Sequence, residues 1–297
     1  MSFSTQVKAE LCRAPISRKC CAQAEAYGVL LYCSLSTPAE VRITTESPVF
    51  AARLPQLFQK AFQVRFDRLP AEGAGKRIFS ITQPDKLSAL WSVFGHDPAE
   101  ALVHHINYAV LEEDHCRTAF LRGAFLAGGS VTDPAKRYHL ELATSHLSVS
   151  RELHALLLEM GFSPKESRRK ANAITYFKQS DAIEDFLTAM GAPLAAMELM
   201  NAKAEKDLRG SINRRVNCDA ANLDKAVDAA QGQIEAIYKL EERGMLENLP
   251  DKLKEAVDLR MAHPELTLSQ LAELCDPPVS KSAFNHRLRK LMELAKQ

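Results

Sequence analysis

Small and hydrophobic residues recur at helical spacing in two segments of the chain, 22–33 and 117–128, and predict two similar helices. In the second of them, which reads AFLRGAFLAGGS with its flanks, Ala119, Gly123 and Ala127 follow one another at intervals of four residues. Glycine inside a helix costs roughly 1 kcal/mol relative to alanine, so a compensating interaction is expected. The usual compensation is the close approach of a second backbone.

Alternating apolar and polar positions after the first of these helices predict a strand. Val41, Ile43 and Thr45 would share one face of this strand, and Arg42 and Thr44 would share the other. In the second half of the chain, GSV and RYHLELA are separated by an Asp-Pro turn and predict a comparable hairpin. Such short strands would bury one face of a sheet under helices.

The remaining elements follow in the same order in both halves. Ser47 predicts the start of a helix that ends near Phe62, and Ser148 predicts the start of its counterpart. A second hairpin comes next (QVRFDR with KRIFSITQ, and PKESRRK with AITYFKQ), and a last helix ends at Gly95 or Gly191. The predicted order is therefore helix, two strands, helix, two strands, helix, written αββαββα, and it occurs twice.

The two halves also align residue by residue. IFSITQPDKLSALWSVFG at 78–95 lies without gaps over ITYFKQSDAIEDFLTAMG at 174–191. We interpret this as a duplication, with repeats at about 20–96 and 115–192, in an α+β domain that covers residues 1–195.

The pattern changes to charged and helical in residues 196–249, which we interpret as a helical linker. Residues 250–297 then predict three short helices. The second begins with a capping box in which Thr267 and the residue three positions later exchange hydrogen bonds, and Ser280 caps the third. Two short helices joined by a tight turn, after a preceding helix, are typical of a helix-turn-helix domain.

The third helix of this domain has an apolar face and a basic face. Residues 280–297 contain five Lys or Arg and one acidic residue, Glu293. Asn285 and Arg289 are suited to read adenine and guanine edges, while Lys and Ser side chains contact phosphates. The alternative is a small helical bundle with a solvated basic face. The residues predicted to bind DNA are Thr267, Ser269, Gln270, Ser280, Lys281, Ser282, Asn285, His286, Arg287, Arg289 and Lys290.

Overall composition agrees with a globular protein of about two domains. The 297 residues are 46% hydrophobic and 25% charged, and 38 Lys and Arg against 37 Asp and Glu give a net charge of +1. A nucleic-acid-binding surface must therefore be local. The chain has no apolar signal core near its start and no run approaching 18 apolar residues, so we expect a cytoplasmic protein without membrane contact.

The cysteines predict no disulfide framework. Seven cysteines are scattered along the chain without a C-x-x-C pair, which favours reduced thiols in a reducing compartment. His104, His105, His115 and Cys116 could be drawn together as a zinc site, but their spacing matches no standard pattern. We therefore expect no metal, no cofactor and no small-molecule substrate.

The duplicated αββαββα unit, opened by FLRGAFLAGGSV, resembles the LAGLIDADG homing-endonuclease fold. In that family the first helices of the two repeats pack together through small residues, and each ends in an acid that binds a metal ion for DNA cleavage. The resemblance implies that Gly28 packs near Gly123. At the positions of the acids, however, this chain has Gly128 and either Cys33 or Ser34. Because cleavage needs carboxylates to hold hard cations, we expect no catalytic residues.

Both ends of the chain together resemble one family. A degenerate LAGLIDADG-like domain, the segment NRRVNCDAANLDK and the terminal DPPVSKSAFNHRLRKL are similar to the WhiA family of bacterial regulators. The resemblance implies a sequence-specific, nucleoid-associated regulator that binds double-stranded DNA and acts in cell division, chromosome segregation and, in sporulating bacteria, sporulation. It also implies contact with a sigma factor or RNA polymerase in sporulating members.

Two other functions stay open at this point. The first is a protein-interaction scaffold, in which the endonuclease-like sheet binds a protein such as a sigma factor. The second is an active homing endonuclease, which would need an acid near Cys33 or Gly128. Basic residues elsewhere could form a second surface for DNA or a partner, and they are Lys165, Arg168, Arg169, Lys170, Arg214 and Arg215.

Overall fold

The computed structural model describes residues 2–70, 75–95 and 104–296, which fall into two compact units, Met1–Asp207 and Leu208–Gln297. The first unit mixes helices and antiparallel strands, and the second is entirely helical in its described residues. The predicted α+β class, with a duplicated LAGLIDADG-like domain before a helical domain, is confirmed.

The first unit contains the predicted order in its second repeat, the same order with one strand fewer in its first repeat, and one further helix, α1, ahead of both. Its helices are α1 (Phe3–Leu11), α2 (Lys19–Tyr32), α3 (Pro48–Phe62), α4 (Pro84–Ser92), α5 (Asp114–Gly128), α6 (Leu147–Glu159) and α7 (Ser180–Ala189). Its strands are β1 (Leu35–Ser36), β2 (Val41–Thr45), β3 (Arg77–Ile81), β4 (Gly129–Val131), β5 (Leu140–Thr144), β6 (Lys165–Arg169) and β7 (Asn172–Phe177). A 3-10 helix at Tyr108–Leu111 precedes α5.

Each repeat forms its own antiparallel sheet. The first sheet has the order β1-β2-β3, and the second has the order β4-β5-β7-β6. Val41 lies opposite Ile81 in the first sheet, and Leu140 lies opposite Phe177 in the second. All four side chains are buried, because each sheet turns one face toward the helices.

The two sheets differ at one strand. In the second repeat β6 and β7 form the predicted hairpin, but in the first repeat the segment around Arg68 makes only an isolated bridge to Ser80. The amides of both Asp67 and Arg68 donate to the Ser80 carbonyl, at 2.9 and 3.2 Å. Because two successive amides share one acceptor, the alternating pattern of a ladder is interrupted there.

The centre of the first unit is the contact between α2 and α5. A Cβ atom added to Gly123 would lie 1.9 Å from the carbonyl oxygen of Glu25, and one added to Gly28 would lie 2.2 Å from that of Phe120. Real Cβ atoms do not approach backbone this closely, so only glycine fits at either position. The expectation that the two stripes of small residues meet is confirmed.

A buried ion network lies beside this crossing. The Arg53 guanidinium donates to both carboxylate oxygens of Glu25, at 2.6 and 2.8 Å, and Arg122 donates to the same carboxylate at 3.3 Å. Arg53 also donates to the carbonyls of Cys12 and Ala14, at 3.0 and 2.7 Å. Since Glu25 and Arg53 lie in the first repeat and Arg122 in the second, the network ties the repeats together.

The remaining helices are one long helix and several short ones, and none of those described is apolar along its whole length. Helix α8 (Pro193–Glu242) contains the division between the two units, and a 3-10 helix at Leu246–Asn248 follows it. The second unit ends with α9 (Asp251–Ala262), α10 (Leu268–Glu273) and α11 (Lys281–Leu294). Among the described residues, none of the helices has the combination of length and hydrophobicity that a bilayer-spanning helix needs.

Substitution at the helix crossing should destabilise the first unit as a whole. We expect Gly123→Ala to lower the free energy of unfolding by about 1–3 kcal/mol or more, because its Cβ would overlap the Glu25 carbonyl. The matched control is Gly232→Ala on α8, where an added Cβ meets no atom within 4 Å. This control should raise stability by about 0.5–1 kcal/mol, as expected for a helical glycine.

Chemical denaturation of the full chain, followed by circular dichroism, measures both effects. A Gly123→Ala midpoint equal to that of the wild type would show that the α2–α5 distance is larger than described above.

Candidate nucleic-acid interface

Helix α11 is held in place by its apolar face. Phe284, Leu288 and Leu291 are fully buried, and they recur at the spacing of one helical face. They belong to one hydrophobic cluster with side chains of α9, of α10 and of the segment just after α10, namely Leu253, Ala256, Val257, Leu271, Ala272 and Cys275. The opposite face of α11 is thereby turned to solvent.

Side-chain caps fix where the second and third helices begin. The Thr267 hydroxyl accepts the Gln270 amide at 3.4 Å, and the Gln270 side chain accepts the Thr267 amide at 2.9 Å, which is the predicted capping box. The Ser280 hydroxyl accepts the Ala283 amide at 3.2 Å and caps α11. These three predicted site residues are exposed, but their polar groups already satisfy helix amides.

Most of the other predicted DNA-binding side chains share the solvent face of α11. Asn285 is partly exposed, between the buried Phe284 and the exposed His286. Asn285 and Arg289 lie one turn apart, so both can reach the same stretch of a groove. Asn can bond an adenine edge with two hydrogen bonds, and Arg can bond a guanine edge in the same way. The exposed members of the set on this helix are Lys281, Ser282, His286, Arg289 and Lys290.

Arg287 is placed differently from the rest of the predicted set. Its guanidinium donates to Glu255 of α9 at 2.7 Å and contacts the Cys275 sulfur at 3.7 Å, and its side chain is only 14% exposed. The backbone amide of Asp276, followed by the Arg287 guanidinium, holds the pKa of the Glu255 carboxyl below its ordinary value. This arrangement uses Arg287 to join α11 to α9 and to the chain segment after α10.

The turn between α9 and α10 depends on Arg260, a residue that the sequence analysis did not single out. Arg260 is 2% exposed, and its guanidinium donates to the carbonyls of Leu266 and Pro264 at 2.9 and 3.3 Å. The signal was present in the sequence, since Leu253, Val257 and Arg260 occupy one helical stripe. An arginine on an apolar stripe indicates a buried, hydrogen-bonded group.

The basic residues of β6 do not form one patch. Lys165 lies opposite Tyr176 and Arg169 lies opposite Asn172, whereas Arg168 lies opposite the buried Ala173. Since successive residues of a strand alternate between faces, Lys165 and Arg169 share the outer face of the sheet and Arg168 points to the other. All three side chains are exposed, because β6 is an edge strand.

Acidic side chains neutralise the sheets locally. Glu141 accepts two hydrogen bonds from Arg169, at 3.0 and 3.1 Å, and one from His139 at 3.0 Å. Burial alone would raise the pKa of the Glu141 carboxyl, but these hydrogen bonds lower it below its ordinary value. On the first sheet, Glu40 pairs with Arg42 at 2.7 Å. Arg42 and Arg169 are therefore already neutralised, whereas Lys165 and Arg168 stay exposed on opposite faces of β6.

Arg214 and Arg215 lie within α8, in a stretch whose residues are all exposed. The same part of the helix exposes apolar side chains, among them Ile212 and Val216, which are 53% and 58% exposed. This surface is therefore mixed in character, unlike the basic face of α11.

The C-terminal end of α5, where the endonuclease pattern carries an acid, excludes a side chain. A Cβ atom on Gly128 would lie 2.5 Å from the Ala143 carbonyl oxygen and 3.0 Å from Cδ1 of Tyr32. After α2, burial raises the pKa of the Cys33 thiol to about 12, and this thiol donates to the carbonyls of Leu30 and Leu35. Neither a thiol nor a glycine supplies the carboxylate oxygens that hard cations such as Mg²⁺ prefer.

A lysine from α1 lies at the same helix end. The Lys8 ammonium donates to the Leu126 carbonyl at 3.1 Å and lies 5.9 Å from the centre of the Phe125 ring. Burial lowers the pKa of this ammonium to about 8. The negative end of the helix dipole is thus met by a side-chain cation where the endonuclease pattern has a metal-binding acid.

The four residues weighed as metal ligands do not converge. The His104 imidazole donates to the Ser36 carbonyl at 2.9 Å and stacks on Trp91, and His105 pairs with Glu152 at 2.6 Å. His115 and Cys116 lie elsewhere, at the start of α5, beside two cysteines from α2. All seven cysteines are unpaired in this structure.

Two family models match the chain over most of its second half. The WhiA LAGLIDADG-like domain matches residues 117–209, and the WhiA C-terminal HTH domain matches residues 212–295. The second match covers the three helices and the caps described above.

Curated relatives match along the whole length. A probable cell division protein WhiA from Alkaliphilus metalliredigens is 34% identical over 309 residues, covering 99% of this chain and 98% of that protein. A probable cell division protein WhiA from Ruminiclostridium cellulolyticum is 36% identical over 306 residues, covering 100% of this chain and 98% of that protein.

Solved structures show the same fold. The crystal structure of the full-length WhiA protein from Thermatoga maritima superposes with a TM-score of 0.61 at 22% identity, covering 100% of this chain and 98% of that one. A structure of an N-terminal LAGLIDADG domain of WhiA gives a TM-score of 0.50 at 20% identity, over 64% of this chain and 92% of that one. With relatives more than 30% identical over nearly its full length, the chain belongs to the WhiA family.

Proposed function

We propose that this protein is a sequence-specific DNA-binding regulator that acts in cell division and reads double-stranded DNA with α11. The observation that carries this proposal is the two-sided character of α11, whose buried face fixes the helix and whose solvent face carries amide, guanidinium and ammonium groups together. The curated relatives are named as probable cell division proteins, which supports the process.

Within this proposal the residues of α11 have two roles. Asn285 and Arg289 enter the major groove and distinguish bases, because each can make paired hydrogen bonds to one base edge. Lys281 and Lys290 lie nearer the helix ends and contact phosphates, which positions the helix without reading sequence. Arg287 acts indirectly, since its ion pair with Glu255 holds α11 against α9.

The domain of residues 1–195 takes no part in strand cleavage in this proposal. Gly128 leaves no room for an acid, and Lys8 lies where a metal-binding group would be needed. The domain at 250–297, which follows the linker at 196–249, supplies most of the DNA binding, and the protein associates with the nucleoid. Roles in chromosome segregation and sporulation belong to this same proposal.

A protein partner such as a sigma factor or RNA polymerase is the second candidate function. Helix α8 favours it, because apolar side chains stay exposed along the part that lies in the second unit. Leu208, Leu223 and Val227 are 63%, 65% and 59% exposed. Exposed apolar side chains grouped on one element are typical of protein-binding surfaces.

Base-reading and phosphate-contacting residues should respond differently to substitution. Asn285→Ala and Arg289→Ala should each weaken binding to a target duplex by about 1–3 kcal/mol and relax preference at particular base pairs. Lys281→Ala and Lys290→Ala should weaken target and random duplexes similarly and reduce the salt slope by about one unit each. Lys60→Ala, an exposed lysine on α3, is the control and should change neither.

The measurement is fluorescence anisotropy on both duplexes over a salt series. If target binding stays unchanged in the Asn285→Ala/Arg289→Ala double variant, another surface of the protein reads the sequence. The two sheets would then be tested next.

The purified protein should leave supercoiled DNA intact in Mg²⁺ or Mn²⁺. The reason is that neither α2 nor α5 ends in a carboxylate that could hold the metal ion. The assay is conversion to nicked or linear plasmid, with a restriction enzyme as positive control. Metal-dependent nicking that disappears in Cys33→Ala or Lys8→Met would contradict this, since a contaminating nuclease would not respond to either change.

A further inference from the structure

Three thiols and one imidazole converge at the N-terminal end of the α2–α5 pair. Cys20 and Cys21 lie in the first turn of α2, and His115 and Cys116 lie in the first turn of α5. The sulfur atoms and one imidazole nitrogen all lie within 4.8 Å of one another. His115 Nδ1 is 3.4 Å from the Cys21 sulfur and 3.2 Å from the Cys116 sulfur.

These distances suit a single tetrahedral ion. Zinc binds thiolate sulfur at about 2.3 Å and imidazole nitrogen at about 2.0–2.1 Å, so its neighbouring ligand atoms lie roughly 3.5–3.8 Å apart. The two contacts of His115 are already close to that spacing. No spacing in the cluster exceeds 4.8 Å, and rotation of side chains can remove a difference of about 1 Å.

Burial raises the pKa of the Cys21 and Cys116 thiols in the metal-free chain, so a bound ion must displace their protons.

The four candidate ligands occupy equivalent positions in the two repeats, two in each. Cys20 aligns with His115 and Cys21 aligns with Cys116, at the same offset as Gly28 with Gly123. Each repeat therefore supplies two adjacent ligands, and the four meet because the equivalent helices pack side by side. The cluster is a feature of the fold's internal symmetry, with two ligands from each half.

We propose that Cys20, Cys21, His115 and Cys116 form a structural Zn²⁺ site that joins the first turns of α2 and α5. All four ligands come from the protein, which is typical of structural zinc sites, whereas catalytic sites keep one position for water. A set of three sulfurs and one nitrogen in tetrahedral arrangement selects zinc over Mg²⁺ or Ca²⁺. The proposal replaces the sequence-based expectation that the chain binds no metal.

The test uses the full chain, purified in a reducing buffer without chelator, and measures metals by inductively coupled plasma mass spectrometry. Wild type should contain about one zinc ion per chain. Cys20→Ser, at an exposed position where folding is not at risk, should lose most of this zinc, and Cys218→Ser, an exposed thiol on α8, should keep it. Cobalt added to the metal-free protein should give the intense visible bands of tetrahedral thiolate coordination.

Removal of the ion should also lower thermal stability. A strong chelator should lower the melting temperature of the wild type and of Cys218→Ser, because the ion binds only the folded chain. Cys20→Ser should melt at the lower temperature with or without the chelator.

Several results would overturn the proposal. These are a wild-type chain that binds no zinc even when zinc is supplied, a zinc content that Cys20→Ser leaves unchanged, iron with sulfide in place of zinc, and a disulfide among the three cysteines in the protein as purified. Thiol trapping followed by mass spectrometry identifies the last of these.

Discussion

The backbone contact between α2 and α5 at Gly28 and Gly123 is the constraint on which the first unit depends. Each of these helices begins one repeat, so the distance between them fixes where both sheets and their covering helices can lie. The contact also sets the environment of Glu25, whose carbonyl oxygen faces Gly123 and whose carboxylate bonds Arg53 and Arg122. Separation of the helices would leave a buried carboxylate without one of its partners, which is far costlier than the loss of a surface ion pair.

Charge is distributed differently on the sheets and on α11. On the sheets, Arg42 and Arg169 are paired with neighbouring carboxylates, while Lys165 and Arg168 on the edge strand β6 are exposed and point to opposite faces. On α11, Lys281, Arg289 and Lys290 are exposed, lie on one helix and appear in none of the ion pairs among the described residues. Because cations grouped on one helix release counterions together when they meet phosphates, and paired cations must first lose their partners, the helical domain is the better polyanion ligand on a chain of net charge +1.

Much of the fold could be predicted from the sequence because its signals are local. The apolar period, the turn residues and the caps at Thr267 and Ser280 each depend on contacts within a few residues. The roles of Arg287 and Arg260 could not be predicted in this way, since their partners are set by how three helices pack. The cluster at His115 is only partly predictable from the sequence. Its ligands are far apart in the chain, but the alignment of the two repeats already places His115 and Cys116 at the positions of Cys20 and Cys21.

One contact of helix α1 joins two segments that the ribosome makes at very different times. The Glu10 carboxylate accepts the amides of Leu194 and Ala195 at 2.7 and 2.9 Å, so α1 caps the N-terminal end of α8. At ribosomal rates of about 5–20 residues per second, roughly 10–40 s separate the synthesis of these two segments. During that interval Phe3, Val7 and Leu11, which end up buried, lack part of their final surroundings. The two capping bonds that join α1 to α8 can therefore form only after the start of α8 has emerged from the ribosome.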